Sequence, residues 1–369
     1  MAFTITSIGT SATAAGTTGN DAANIAGFAV VDVTGLAGED VITIGSVSAS
    51  SVDMAEGNDT VFGNVITGST IALGDGIDFA SVSSLAAGAV LKGGKGADTL
   101  RVTTSVNASE VRGGKGADTI TVSNDVWNNG SVRGGKGSDF INVLSDVSAG
   151  GSVLGGDGND VMFVATLNTS ASGIFGGAGN DTITWGGFGN VYGDDGDDLL
   201  SGSGNVYGGT GNDTFVLGSS GSRYFGQDGS DTFQFSATTT NYGTIQSYQA
   251  GVDQIDITGG LDSYNGGTNV VFQADGNVGL NTTVYEISAA LTAGNTISSA
   301  VSALFFGAGA TATTGVNLEI VAYQAGNIAQ LFYVSDIEMS NGVVSAFNVT
   351  LNATLTQVTA GSLSAADFV

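Results

Sequence analysis

Apolar positions in this chain keep fixed distances from a recurring Gly-x-Asp triplet. The Asp of that triplet stands at 21, 40, 59, 78, 98, 118, 139, 160, 181, 198, 213, 231 and 253, at intervals of 15 to 22 residues. Seven residues before it runs one apolar column, including Val33, Val52, Ile71, Leu91, Val111, Val132, Val153, Ile174, Val191, Val206 and Tyr224. Two residues after it runs another, including Ile42, Val61, Leu100, Ile120, Ile141, Met162, Ile183, Leu200, Phe215, Phe233 and Ile255. A third lies four residues after it, with Ile44, Val82, Val102, Val122, Val143, Val164 and Trp185. Alternation of period two sends one face of a short strand inward. The spacing predicts a rung of about 20 residues with two strands and two turns, stacked so that neighbours bury what one rung cannot.

Composition agrees with such a repeat. Of 369 residues 61 are Gly, while Pro, Cys and His are absent. A collagen repeat is excluded because Gly does not recur every third residue. The 41% hydrophobic content argues against disorder. The net charge of −26 argues against nucleic-acid partners and asks for an offset, for which multivalent cations are suited. No run of 18 apolar residues is present, so the chain is expected not to span a membrane. Its start lacks a basic and then apolar segment, so no cleaved N-terminal signal is expected.

From 93 to 213 the turn sharpens to Gly-Gly-Lys-Gly-Ala-Asp at 93–98 and 113–118, Gly-Gly-Asp-Gly-Asn-Asp at 155–160 and Gly-Gly-Thr-Gly-Asn-Asp at 208–213. This resembles the RTX (repeats-in-toxin) family, whose nonapeptide Gly-Gly-x-Gly-x-Asp-x-U-x binds calcium in a parallel β-helix. The resemblance implies an all-β fold, a right-handed parallel β-helix or β-roll solenoid over 1–258, followed by a C-terminal capping and secretion domain over 259–369. It also implies extracellular localisation and Ca²⁺ as the cofactor. Family members often carry the nonapeptide in both halves of an 18-residue coil. Here only one half carries it, which implies one row of metal sites.

Calcium takes six to eight oxygens. Glycine-rich turns expose carbonyls, and the Asp adds a charged oxygen. Carried over by motif, the metal-site residues are Gly93, Lys95 and Asp98; Gly113, Lys115 and Asp118; Gly134, Lys136 and Asp139; Gly155, Asp157 and Asp160; Gly176, Ala178 and Asp181; Gly193, Asp195 and Asp198; Gly208, Thr210 and Asp213; and Gly226, Asp228 and Asp231. At the third position the implied ligand is the carbonyl, so Lys is tolerated. Asp21, Asp40, Asp59 and Asp78 match less well because their turns lack the double Gly. The alternative is a Gly-Asp turn that only caps a strand.

Seven of the eight basic residues lie between 92 and 136. In-phase stacking predicts one outward column of Lys92, Arg112 and Arg133, continuing as Leu154, Phe175, Tyr192, Tyr207 and Phe225. A second outward column holds Lys95, Lys115 and Lys136. Such a stripe suits an acidic partner at its basic end and sugar faces or another subunit at its aromatic end, or it merely covers the turns.

Beyond 258 strand-like runs appear at 268–273, 283–287, 317–323 and 328–334, with helical spacing over 296–306. The ending Leu-Ser-Ala-Ala-Asp-Phe-Val looks like the uncleaved export region of type I secreted proteins. Without His or Cys, His-based triads, His or Cys zinc sites and thiol chemistry are not expected. Carboxylate pairs for glycoside cleavage remain conceivable, but most acidic residues sit in the turns. The reading is therefore a non-enzymatic surface protein of an S-layer, sheath or filament, with self and an acidic cell-surface polysaccharide as partners. The alternative is a carbohydrate-binding adhesin or matrix protein.

Overall fold

The computed structural model describes residues 4–8, 11–35, 37–218, 221–235 and 243–256. Beyond these it describes the strands Phe272–Ala274, Val284–Ile287, Val316–Gln324, Ile328–Ser340 and Val343–Thr356, with residues 358, 363 and 367. The protein is an all-β parallel β-solenoid of about twelve turns, with no α-helix among the described residues. It divides into two compact units, Met1–Leu199 and Leu200–Val369. The expected boundary at 258/259 and the helical segment 296–306 lie outside the described residues.

In the first unit each rung contributes a strand to each of two parallel sheets. One sheet includes Thr70–Asp75, Val90–Lys95, Glu110–Lys115, Ser131–Lys136, Ser152–Asp157 and Gly173–Ala178. The other includes Phe79–Val82, Thr99–Val102, Thr119–Val122, Phe140–Val147 and Val161–Leu167. The glycine-rich turn joins the two strands of each rung. Pairing is in register, so identical motif positions stack. Ile71, Leu91, Val111, Val132, Val153, Ile174 and Val191 form one continuous column, fully buried.

The rung differs from the expected two strands. A third, short strand closes it at Val47–Ser48, Val65–Thr67, Ser84–Ala86, Val106–Asn107 and Val126–Trp127. Each sends one apolar side chain inward, and Val47, Ile66, Leu85, Val106 and Val126 are buried. Strands of two or three residues are too short to show alternation, which is why this wall was not legible as a period. In the next two rungs it fuses with the preceding strand, through register shifts in Phe140–Val147 and Val161–Leu167. At the corner after it, Ser50 donates its N–H to Ser69 Oγ at 2.9 Å and its own Oγ accepts from Val31 N–H.

The solenoid's starting edge is covered by Thr4–Ile8, which pairs antiparallel with Ser11–Ala15; that strand in turn pairs in parallel with Val30–Thr34. In the second unit, Gly204–Thr210, Arg223–Asp228 and Thr244–Gln246 continue one kind of strand. Thr214–Leu217, Thr232–Gln234 and Gln254–Asp256 continue the other. The antiparallel meander Val316–Gln324, Ile328–Ser340 and Val343–Thr356 then docks on the edge of Thr244–Gln246, with Thr244 opposite Thr354 and Ile245 opposite Leu355. This covers an edge that would otherwise present unpaired backbone groups. Asp367 is buried and its Oδ1 accepts Gly251 N–H at 2.6 Å.

Candidate metal centre

The repeated Asp turns inward at the corner between the two sheets. Every Asp from 21 to 253 in the repeat is at most 3% exposed. In the first unit each backbone N–H donates to Oδ1 of the Asp one rung further on, at 2.7–2.9 Å, from Asp21 through Asp181 to Asp198. In the second unit Asp213 donates to Asp231 and Asp231 to Asp253, at 3.0 and 3.2 Å. The carbonyls of Asp21 through Asp181, and of Asp213 and Asp231, accept the N–H of the residue after the next Asp, as in Thr119 to Asp98 at 2.8 Å.

The second carboxylate oxygen has no such partner. Oδ2 of Asp40, Asp59, Asp78, Asp98, Asp118, Asp139, Asp160, Asp181 and Asp231 is buried without a hydrogen bond. A buried, unsatisfied carboxylate oxygen is costly, and a stack of them on adjacent rungs adds like-charge repulsion. Burial pushes the carboxyls of Asp59, Asp139, Asp181 and Asp198 up to about 7. It pushes those of Asp78, Asp98, Asp118, Asp160 and Asp231 up to about 6, against the opposing pull of the N–H each accepts. At the C-terminal end the orphan disappears, because Asp253 Oδ2 accepts Gln249 N–H at 2.7 Å. That turn behaves as a strand cap.

The first glycine of each motif explains itself at this corner. A Cβ on Gly93 would lie 2.3 Å from Asp98 Oδ2 and 2.5 Å from the Gly113 carbonyl oxygen. The same two-oxygen approach recurs beside Gly113, Gly134, Gly155 and Gly176, and in the second unit beside Gly208. Gly193 supplies its carbonyl beside Gly176, and Gly226 faces Asp231 Oδ2. At Gly93, Gly113, Gly134, Gly155, Gly176 and Gly208 the missing side chain therefore lets a carboxylate oxygen and a carbonyl oxygen of the next rung converge on the backbone. In the rungs of Asp59 and Asp78 this position is held by Met54 and Leu73, both fully buried, so an apolar side chain stands where the later rungs have glycine.

The third motif position behaves differently. Lys95, Lys115, Lys136, Asp157, Ala178, Asp195 and Asp228 each accept, through the carbonyl, the N–H of the fourth-position glycine one rung earlier, at 2.6–2.9 Å. Those carbonyls already serve the ladder with one lone pair. Their side chains point outward, and Thr210 pairs opposite Asp228 in the same column. The fifth position carries a polar ladder that sequence reasoning missed: Asn180 N–H donates to Asn159 Oδ1 and Asp197 N–H to Asn180 Oδ1.

Calcium would have to be held by one carboxylate per rung with carbonyls and water, since no cluster of three or more acidic side chains occurs among the described residues. The donor chemistry fits a hard cation at Asp98, Asp118, Asp139, Asp160 and Asp181, where orphaned Oδ2 atoms and carbonyls meet beside a glycine. It fits poorly at Asp59 and Asp78.

The outward columns stack as the sequence spacing predicts. Lys92, Arg112, Arg133, Leu154, Phe175 and Tyr192 are successive partners. Phe175 and Tyr192 stack with centroids 5.0 Å apart and planes 2° apart. In the second unit Tyr207 and Phe225 stack at 4.6 Å and 10°. Rings stacked this way spend their faces on one another. Arg112 and Arg133 both bind Glu110, the latter through Nε at 2.9 Å, so the arginine pair is largely compensated within the chain.

The site and fold together define a parallel β-solenoid built on a buried aspartate ladder. No protein-family model matches the chain, and no curated protein matches it.

Proposed function

We propose that this chain is an extracellular, calcium-binding structural protein of the RTX type, secreted through its C-terminal region. In this reading it has no catalytic role and assembles with copies of itself into an S-layer, sheath or filament. The observation that carries the proposal is the column of buried Oδ2 atoms without partners from Asp98 to Asp181, each beside a glycine and a carbonyl oxygen of the next rung. Calcium in that column would replace the missing hydrogen bonds and cancel the repulsion between rungs. Extracellular calcium modules work at about 0.1–1 mM. Calcium titration of the chelated chain, followed by circular dichroism and calorimetry, tests this. Saturable binding with a gain of β-structure or melting temperature supports the proposal, and an unchanged melt with no heat of binding sinks it.

A second reading, a carbohydrate-binding adhesin or matrix protein, is favoured by one surface feature: a lysine-lined groove on the first unit.

A further inference from the structure

Beside the Lys95–Lys136 column the outer surface dips. The second glycine of successive motifs, Gly94, Gly114 and Gly135, forms the floor, because a side chain there would strike the carbonyl of the preceding rung at 1.9–2.2 Å. The hollow has a volume of about 680 Å³ and crosses at least three rungs of the first unit. Lys92 lines one side and Lys95, Lys115 and Lys136 line the other. Asp75 and Asp157 mark its two ends, paired with Lys95 and Lys136 at 2.6 Å each. Lys92 and Lys115 have no ion-pair partner among the described residues. Arg112 and Arg133 lie in the column of Lys92 and add to the local potential, though they turn toward Glu110.

The glycines follow from the turn, but the lysines do not. Elsewhere the third motif position is Asp, Glu, Ala or Thr, and the column of Lys92 carries Leu154 and then aromatic residues as far as Phe225. Both columns flanking one floor turn basic in the same three rungs of a chain with net charge −26. We propose that this groove binds a single extended anionic polysaccharide strand, lying along the stack with carboxylate or sulfate groups toward the lysines. The rungs repeat about every 4.8 Å, so the lysines form a linear array suited to a polymer with regularly placed charges. A narrow strand meets the local patch within a screening length of about 8 Å. A second folded copy would bring its own acidic surface into the same range and cannot enter a floor one glycine wide. The inference gives the adhesin reading a partner and leaves the metal column untouched.

The test uses the full chain in calcium, with a fluorescent hyaluronate octasaccharide, a chondroitin sulfate oligosaccharide of equal length and neutral dextran. Saturable binding to at least one acidic glycan is expected, weakening with salt, and none to dextran. The double variant Lys92→Gln/Lys115→Gln should bind about tenfold more weakly with an unchanged melt. Arg101→Gln, on the other sheet, should bind as the parent does. Binding to dextran, equal loss in Arg101→Gln, or no binding to either acidic glycan overturns the proposal. So does self-association, seen by sedimentation without glycan, that disappears in the double variant, for then the groove takes a second copy. The melt with and without chelator, recorded on the same samples, reports separately on the calcium reading.

Discussion

At the scale of single residues, the aspartate ladder is a conflict that the fold itself does not resolve. Its N–H bonds hold Oδ1, while Oδ2 is left against a glycine and a carbonyl. Two occupants can settle it: a proton on the carboxyl, whose O–H could donate to the neighbouring carbonyl, or a shared cation. They have opposite pH signatures. The folded carboxyls lie at about 6 to 7 (as for Asp98 and Asp139) and the unfolded ones near 4. A carboxyl raised on folding favours the protonated state, so the folded chain binds more protons than the unfolded one between those values. In chelator, stability should therefore rise as pH falls from about 8 towards 4, read as melting temperature. In millimolar calcium the protons compete with metal, and the rise should flatten or reverse. A chelated melt that falls on acidification through this window would contradict the burial of these groups.

The glycine gives a second test at this scale. Gly134→Ala puts a methyl group 2.3 Å from Asp139 Oδ2 and 2.7 Å from the Gly155 carbonyl oxygen. The expected cost is about 1–3 kcal/mol, together with loss of calcium-dependent stabilisation at that rung. Gly88→Ala meets nothing within 4 Å and suffers only its positive φ of 82°, about 1 kcal/mol, with calcium response intact. Equal calcium responses in the two variants would remove the glycine from the metal site.

At the scale of the element, each rung depends on three apolar walls, two of them written as strict columns. Leu91 is fully buried at the centre of the first wall, and Leu91→Ala should cost about 2–4 kcal/mol. Thr103, exposed in the variable half of its rung, should tolerate Ala within about 0.5 kcal/mol. Thermal melts of both variants at fixed calcium check the contrast. The two strict walls were legible because alternation repeats in register over many rungs. The third was not, because Val106 and Val126 are single inward residues within short, variable stretches. The outward columns were legible in their stacking but not in their pairing, since Glu110 reaches both Arg112 and Arg133 only once two rungs are superposed.

At the scale of the whole molecule, the C-terminal strands finish what the repeat leaves open. Val343–Thr356 pairs with Thr244–Gln246, and Asp367 holds Gly251. Deleting 320–369 should expose that edge. The truncated chain, refolded in calcium, should aggregate at concentrations where the parent does not, measured by light scattering. The same truncation should retain the chain in the cell if the export signal lies there; appearance of the truncated chain in the medium would place the signal elsewhere. Calcium-dependent assembly of the parent into filaments or sheets, viewed by electron microscopy, separates the surface-layer reading from a monomeric adhesin.

The solenoid class, the inward columns and the stacking order follow from sequence alone, because register in a parallel stack copies linear spacing directly into space. The Asp positions followed in the same way. What only tertiary structure decided is which oxygen of each Asp is satisfied and what fills the space beside it. What stands beside Oδ2 depends on the residue five positions earlier: glycine from Asp98 to Asp231, but Met54 before Asp59 and Leu73 before Asp78. The lysine groove is likewise a tertiary fact. Lys92 and Lys115 stand 23 positions apart in the chain and line one hollow only because the three intervening turns fold each rung back over the last.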